Sequence, residues 1–344
     1  YQYLSDKKLI LKDFKSIFIF VLKSIFSIRK FSDILLIGIF AINLKYFLNC
    51  RNIFKKYPKL KLAIIDYDFL CPKIITLALM SLKIRTVCTQ ERFISSFYNT
   101  QNILIDDYFT PSKKINLILK KNKSVYAKKL IPVGLYRADK LSVKKDRRKK
   151  IIVALGFHTE NKIYESQSEI LLNWKASRLF LEEIYKLSKE LDDYKIIIRF
   201  KNYKGYQNSY FKKILKKIKK QKNLKIDNAK KSEHSYKICS MADLIIAKHT
   251  SLADECISRG IPVIIHDYTH NLSGIIRGAF KFDESLMICK NYEDMLNKTK
   301  KFLNYKKNNT NKKFLNFKNK YYFYNENTTV KKEILNYINR YLQT

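Results

Sequence analysis

The sequence predicts an α/β protein of two Rossmann-like domains whose parallel sheets face a central cleft. Three observations carry that expectation. Apolar runs of strand length alternate with longer segments of helical spacing, the rhythm of βαβ units. The rhythm stops in a charged run at residues 140–150 and restarts at Ile151. The apolar runs end abruptly in polar residues, and in open parallel sheets ligands bind where strands end. The expected division is an N-terminal domain over 1–140, a linker over 141–150, a second domain over 151–304 and a helical extension over 305–344.

The first apolar segment, Ile17–Ile28, is interrupted by Lys23. It reads as a core helix, or as an amphipathic helix lying on a membrane with Lys15, Lys23, Arg29 and Lys30 near its polar face. Ile34–Ile42 is strand or buried helix, and far shorter than a bilayer requires. Leu62–Ile65 is a strand ending in Asp66-Tyr67-Asp68, and Pro72 opens a helix to about Leu82. Ile84–Cys88 is a strand ending in Thr89-Gln90-Glu91-Arg92. Ile103–Ile105 is another, Pro111-Ser112 starts the next helix, and Leu130–Val133 is a short strand.

In the second half, Ile151–Leu155 is a strand ending in Gly156-Phe157-His158-Thr159-Glu160. Residues 168–190 carry helical apolar spacing. Lys195–Arg199 is a strand, Tyr210–Gln221 a basic amphipathic helix, Leu224–Ile226 a strand and Glu233–Met241 a helix. Leu244–Ala247 is a strand that stops at Lys248-His249-Thr250-Ser251. A helix with Asp254 and Glu255 follows, ended by Gly260, and Val263–Ile265 is the next strand. Met287–Cys289 is a last strand, and 291–304 a helix. The Lys/Asn/Tyr/Phe-rich stretch 305–325 has no clear assignment, and Thr329–Leu342 reads as a helix.

Composition narrows the classes. Apolar residues make up 46% of 344, enough for a core and against disorder. Lys+Arg outnumber Asp+Glu by 69 to 30, a formal charge of +39. Such a charge favours polyanions: nucleic acid, anionic lipid headgroups, or anionic glycans and nucleotides. Compositional drift onto solvated faces gives the same excess. No nucleic-acid module is visible. The six cysteines form no Cys-x-x-Cys pair and read as reduced core thiols in a cytosolic setting. All five histidines fall after residue 150, in no zinc-binding spacing. Gly-x-x-x-x-Gly-Lys-Ser/Thr, Gly-x-Gly-x-x-Gly and Gly-x-Ser-x-Gly are absent.

The candidate site in the second domain has three parts. Gly156 and His158 stand at the end of the first strand. Arg199 and Lys201 follow the second, two cations suited to a pyrophosphate or a sugar carboxylate. Lys248 to Glu255 form a turn and helix start. There His249, Thr250 and Ser251 offer polar groups beside free amides, which suit phosphate, and Glu255 suits a ribose diol. Thr250 and Ser251 also fit a helix N-cap, a role compatible with phosphate binding. His249 fits a satisfied turn residue, and Glu255 a surface carboxylate.

Ser240-Met241-Ala242-Asp243-Leu244-Ile245-Ile246, the Thr250-Ser251 turn, Asp254-Glu255 and Gly260-Ile261-Pro262-Val263-Ile264 together resemble the donor half of GT-B glycosyltransferases. The similarity is greatest to the branch that builds bacterial surface polysaccharides and teichoic-acid-like polymers, including CDP-glycerol glycerophosphotransferases and CMP-sugar transferases. Gly134-Leu135-Tyr136-Arg137-Ala138-Asp139 is similar to a Gly-x-Pro-Arg-x-Asp-like segment of those families. The His-Pro they carry after the preceding strand is missing, its place taken by Arg199-Phe200-Lys201-Asn202. The resemblance covers about residues 130–290, and sugar epimerases of the same fold share the motif.

What the resemblance implies is a metal-independent transferase without a resident cofactor. It would move a sugar or glycerophosphoryl-like unit from a nucleotide donor, CMP- or CDP-linked by preference, to a surface-polysaccharide or lipid-linked acceptor. Thr250 and Ser251 would hold donor phosphate, Glu255 the ribose, and Arg199 and Lys201 would offset its charge, while Gly156 would admit the donor to the backbone. The base would come from the first, acceptor-side domain: Glu91 first, Asp68 second, since a carboxylate can take a hydroxyl proton. For Glu91 an ion pair with Arg92 or a nearby Lys is the structural alternative. The expected location is the cytoplasm, with peripheral contact at the inner face of an anionic membrane. The rival classes are a sugar-nucleotide epimerase of the same fold, a non-catalytic scaffold that kept the fold, and a nucleic-acid binder.

Overall fold

The computed structural model describes residues 11–25, 28, 31–65, 68, 71–90, 103–121, 125–142, 150–156, 174–200, 203–229, 232–248, 250–266, 286–304 and 309–343. The chain opens with two helices, α1 (Leu11–Ile25) and α2 (Phe31–Phe54). Then come β1 (Leu62–Ile65), α3 (Lys73–Ser81), β2 (Arg85–Thr89), β3 (Ile103–Thr110), α4 (Lys113–Lys121) and β4 (Val125–Pro132). The four strands make one parallel sheet in the order β1-β2-β3-β4. Pro72 and Ser112 stand at the starts of α3 and α4. Pro72 supplies a fixed φ just before the first turn, and the Ser112 hydroxyl accepts from Ile115 N at 3.2 Å.

The 34–42 run, open between strand and buried helix, lies inside α2. It is helical but exposed: Ile34, Leu35, Ile39, Phe40 and Ile42 face solvent, and among the described side chains the first buried one is Leu48. The reading of Ile17–Ile28 as a core helix fails for the same reason, because Phe18, Ile19, Leu22, Ile25 and Ile28 are also exposed. No helix among the described residues is long and apolar enough to cross a membrane.

After a 3₁₀ turn at Tyr136–Lys140 the second unit begins with β5 (Ile151–Gly156). It continues with α5 (Trp174–Glu190), β6 (Lys195–Phe200), α6 (Ser209–Lys220), β7 (Leu224–Asp227) and α7 (Ser232–Ser240). Next are β8 (Leu244–Ala247), α8 (Ser251–Ser258), β9 (Val263–His266), β10 (Ile288–Cys289) and α9 (Tyr292–Leu303). The sheet is parallel throughout, ordered β10-β9-β8-β5-β6-β7. Every residue of β5, β8 and β9 is buried, as expected for strands covered by helices on both faces. These uninterrupted Ile/Val/Leu runs are why the strands were legible.

Two further helices, α10 (Asn309–Tyr321) and α11 (Val330–Gln343), end the chain. α10 packs on α4 of the first unit and on α8 of the second. α11 returns to the 3₁₀ turn and the first sheet: Tyr337 meets Phe109 edge-on at 5.4 Å, and Arg85 lies over the Tyr341 ring. The Gly134–Asp139 segment is the socket for this return. Gly134 has φ +104, and a Cβ there would stand 2.7 Å from the Phe323 carbonyl oxygen. Asp139 accepts from Val330 N at 3.1 Å, Lys331 N at 2.8 Å and the Tyr324 hydroxyl at 2.8 Å. Its carboxylate therefore caps α11. Arg259 adds a second tie, donating to Leu141 O at 3.1 Å and lying over the Tyr324 ring.

Candidate functional site

In the second sheet β6 and β7 lie on one side of β5, while β8, β9 and β10 lie on the other. The direction in which successive strands are added across the sheet therefore reverses between β5 and β8. Such switch points leave a crevice beyond the carboxyl ends of the strands, the usual ligand position in open α/β sheets. Gly156 ends β5, and Lys248 follows β8 there.

The next helix starts at this crevice. Thr250 is the N-cap of α8, with extended φ −141 and ψ 152, and its hydroxyl accepts from Ala253 N at 3.3 Å. Ser251 is the first helical residue. The first-turn amides and the positive end of the helix dipole lie at this N-terminus, which follows directly on β8. Gly260, at φ +77, stops the helix and turns the chain into β9. The expected N-cap and the expected anion-binding position are thus one place.

Lys248 is 2% exposed, and its ammonium donates to the Ser177 hydroxyl of α5 at 3.3 Å. Tyr206 also hydrogen-bonds Ser177, and burial pushes the Tyr206 phenol well up. On the far side, His266 ends β9 with Nε2 2.8 Å from Glu183 Oε2, under the edge of Phe180. A buried cation, two hydroxyls and a His–carboxylate pair therefore surround the strand ends.

Asp254 and Glu255 are both buried. Burial, with the Glu255 charge adding to it, holds the Asp254 carboxyl well above the usual carboxylate range, and Tyr322 donates to it at 3.0 Å. Glu255 hydrogen-bonds the Tyr236 hydroxyl of α7. Burial and this carboxylate raise the Tyr236 phenol, against the opposing charge of Arg137. Lys140 lies 5.4 Å over the Tyr236 ring. Glu255 therefore sits where the socket segment meets the second unit, tied to a neutral phenol rather than open on a surface.

Arg199 has protein partners. Its guanidinium lies 3.0 Å from Asp227 of β7, donates to Ser235 Oγ at 2.8 Å and to the Ala229 carbonyl, and is 6% exposed. His234 shares Asp227 at 3.1 Å. Arg199 and Ala247 pair with Leu155 from opposite sides, which puts them two strand spacings apart, roughly 10 Å. Arg199 and Glu255 still meet through α7, at the adjacent residues Ser235 and Tyr236. At Gly156 the space a Cβ would need is filled by the Phe200 ring, 2.7 Å away. Packing inside the protein thus requires this glycine.

Asp68 belongs to the first unit and is fully buried. Its carboxylate accepts from Tyr108 of β3 at 2.6 Å, and Lys73 at the start of α3 donates to its carbonyl at 2.9 Å. Burial lowers the Lys73 ammonium. Glu91, His158, Lys201 and His249 lie outside the described residues. From sequence, Lys248 bounded the expected turn without a role of its own, and Tyr236 was not expected at the site. Lys248 carried a signal, a cation ending a wholly apolar strand. Tyr236 carried none, since its contact with Glu255 joins two helices through the fold. Among the described residues, no three His, Cys, Asp or Glu side chains gather closely enough to hold a metal ion.

Two parallel-sheet units, a helix N-terminus at the second sheet's switch point and a C-terminal helix returning to the first sheet define a GT-B-like α/β protein. Among solved structures, the chain is similar to a Listeria monocytogenes protein named as a candidate UDP-N-acetylglucosamine 2-epimerase, with TM-score 0.55 and 10% identity over 88% of this chain and 81% of that one. It is also similar to the S. aureus MnaA–UDP co-structure (0.51; 14%; 88% and 79%). A third is the UDP-GlcNAc 2-epimerase of Neisseria meningitidis bound to UDP-GlcNAc (0.50; 14%; 88% and 82%). At such identities the likeness is one of fold. No protein-family model matches the sequence, and no curated protein matches it.

Proposed function

We propose that this chain is an enzyme of nucleotide sugars that holds a nucleoside-diphosphate sugar at the β5–β8 switch point and epimerises the sugar. The observation that carries the reading is the coincidence there of the α8 N-terminus, the buried Lys248 and, a turn further on, Glu255. The diphosphate would lie on the α8 amides with the Lys248 charge beside it. A ribose hydroxyl would share Glu255 with Tyr236. Asp68 and Glu91 are the proposed bases from the first unit. Epimerisation comes before transfer because fold neighbours are described as UDP-GlcNAc 2-epimerases, one with its sugar nucleotide bound. Those neighbours also support uridine over the cytidine expected from sequence. Glycosyl transfer to a lipid-linked acceptor is the second reading, favoured by the exposed apolar helices α1 and α2.

The test is calorimetric titration with UDP, CMP, CDP and GDP, followed by incubation with UDP-GlcNAc without acceptor, read by proton NMR. The expected result is binding of a pyrimidine diphosphate, weakened about tenfold or more in Lys248→Met and Glu255→Gln, equal to about 1.4 kcal/mol, with a second sugar-nucleotide species appearing. Binding with turnover only when a lipid-linked acceptor is added would favour transfer. No binding of any nucleotide would refute both readings.

A further inference from the structure

Ten of the 22 exposed large hydrophobic side chains among the described residues fall between Phe18 and Ile42, each 36% to 64% exposed. They are arranged, not scattered. Phe18, Leu22 and Ile25 follow one another at spacings of four and three along α1, and Leu35, Ile39 and Ile42 do so along α2. Each set is therefore one helical face. The two helices pack on each other, and α2 packs on α3, so the pair forms a hairpin rooted in the first unit near Leu48 and Cys50. Exposed apolar helix faces of this kind mark an interaction site.

The charge selects the occupant. Over residues 11–54 there are seven cations (Lys12, Lys15, Lys23, Arg29, Lys30, Lys45, Arg51) and two acids (Asp13, Asp33), a net +5. Lys15 and Lys23 are exposed on the α1 face that carries Ile19. Against a second copy, these cations would meet their equivalents, on chains that each carry +39. Against an anionic bilayer they meet headgroups, and their stems reach along the apolar face while the ammonium stays at the surface. A 15-residue helix is about 22 Å long, short of a span, and α1 is also cut by Lys23.

We propose that the α1–α2 hairpin is a monolayer-docking element that seats Phe18, Leu22, Ile25, Leu35, Ile39 and Ile42 in the acyl boundary of an anionic membrane. The inference is independent of the reaction catalysed. The experiment is flotation with phosphatidylcholine vesicles with and without phosphatidylglycerol. The full chain is compared with Leu22→Gln, Ile39→Gln and the double variant, and each variant's thermal unfolding is measured. Because both positions are exposed, unfolding should match the parent. Binding to the phosphatidylglycerol vesicles should fall roughly tenfold or more in the double variant, and Lys15→Gln/Lys23→Gln should weaken it and flatten its salt dependence. In Phe40→Trp, those vesicles should shift the added indole emission to the blue. The proposal is overturned if the parent stays with the soluble fraction, if it binds both vesicle types equally, or if sedimentation shows a dimer that the glutamine substitutions dissociate while flotation is unchanged.

Discussion

Asp254 and Glu255 adjoin in sequence but have different surroundings. Asp254 meets Tyr322 in a fully buried setting and keeps its proton far above the usual range. Glu255 meets Tyr236 beside the cationic socket segment. The first difference is testable by pH. With the folded pKa of Asp254 raised, the unfolded chain gives up that proton first, from about pH 4 upward. The stability its neutral form contributes is therefore whole below about pH 4 and is lost as pH rises toward the folded value. Asp254→Asn keeps the acceptor for Tyr322 and does not titrate. Its unfolding free energy in urea should gain on the parent between about pH 4 and pH 8, and a gap that stays flat or narrows would refute the buried-acid account. Of this neighbourhood, the sequence disclosed the Thr250 cap and the Glu255 position through their spacing after an apolar strand. It did not disclose the partners of Arg199, because Asp227, Ala229 and Ser235 reach it only when β7 and α7 fold beside β6.

At the scale of elements, the strands of the second sheet were readable because both faces are buried and their composition is uniformly apolar. The element between 305 and 325 was not, although Phe314, Phe317 and Tyr321 are buried at spacings of three and four on α10. The abundance of Lys and Asn around them dilutes the pattern, and propensity alone is a weak guide. For α2 the composition was ambiguous, and the length of the element settled it: 24 residues is a helix, not a strand. The clearest element-level device is the Asp139 cap on α11, made from 191 residues away. Asp139→Ala leaves two helix amides and the Tyr324 hydroxyl without this acceptor. It should cost about 1–2 kcal/mol in urea unfolding, with Asp139→Asn recovering part. An alanine variant as stable as the parent would show that α11 docks by its apolar face alone.

For the whole molecule, the rhythm of strands and helices was legible, and so was its restart at Ile151. The closure of the two units was not. It depends on α10 and α11 recrossing to the first sheet, through contacts such as Phe109 with Tyr337 that no local pattern encodes. Part of the candidate site was legible: the polar turn and the helix start at Thr250 follow from the apolar run before them, while the strand order that makes β5–β8 a switch point and the side chains reaching it from α5 and α7 are set only by the fold. All of it leads to one physical statement, that the β5–β8 switch point binds the diphosphate of a sugar nucleotide. A crystal structure of the chain grown with UDP tests this. The diphosphate should lie against the first amides of α8, beside Lys248, with the ribose toward Glu255. Electron density for UDP elsewhere, for instance in the hollow lined by Tyr203, Asn208, Lys212 and Lys219 at the sheet's far edge, would contradict it.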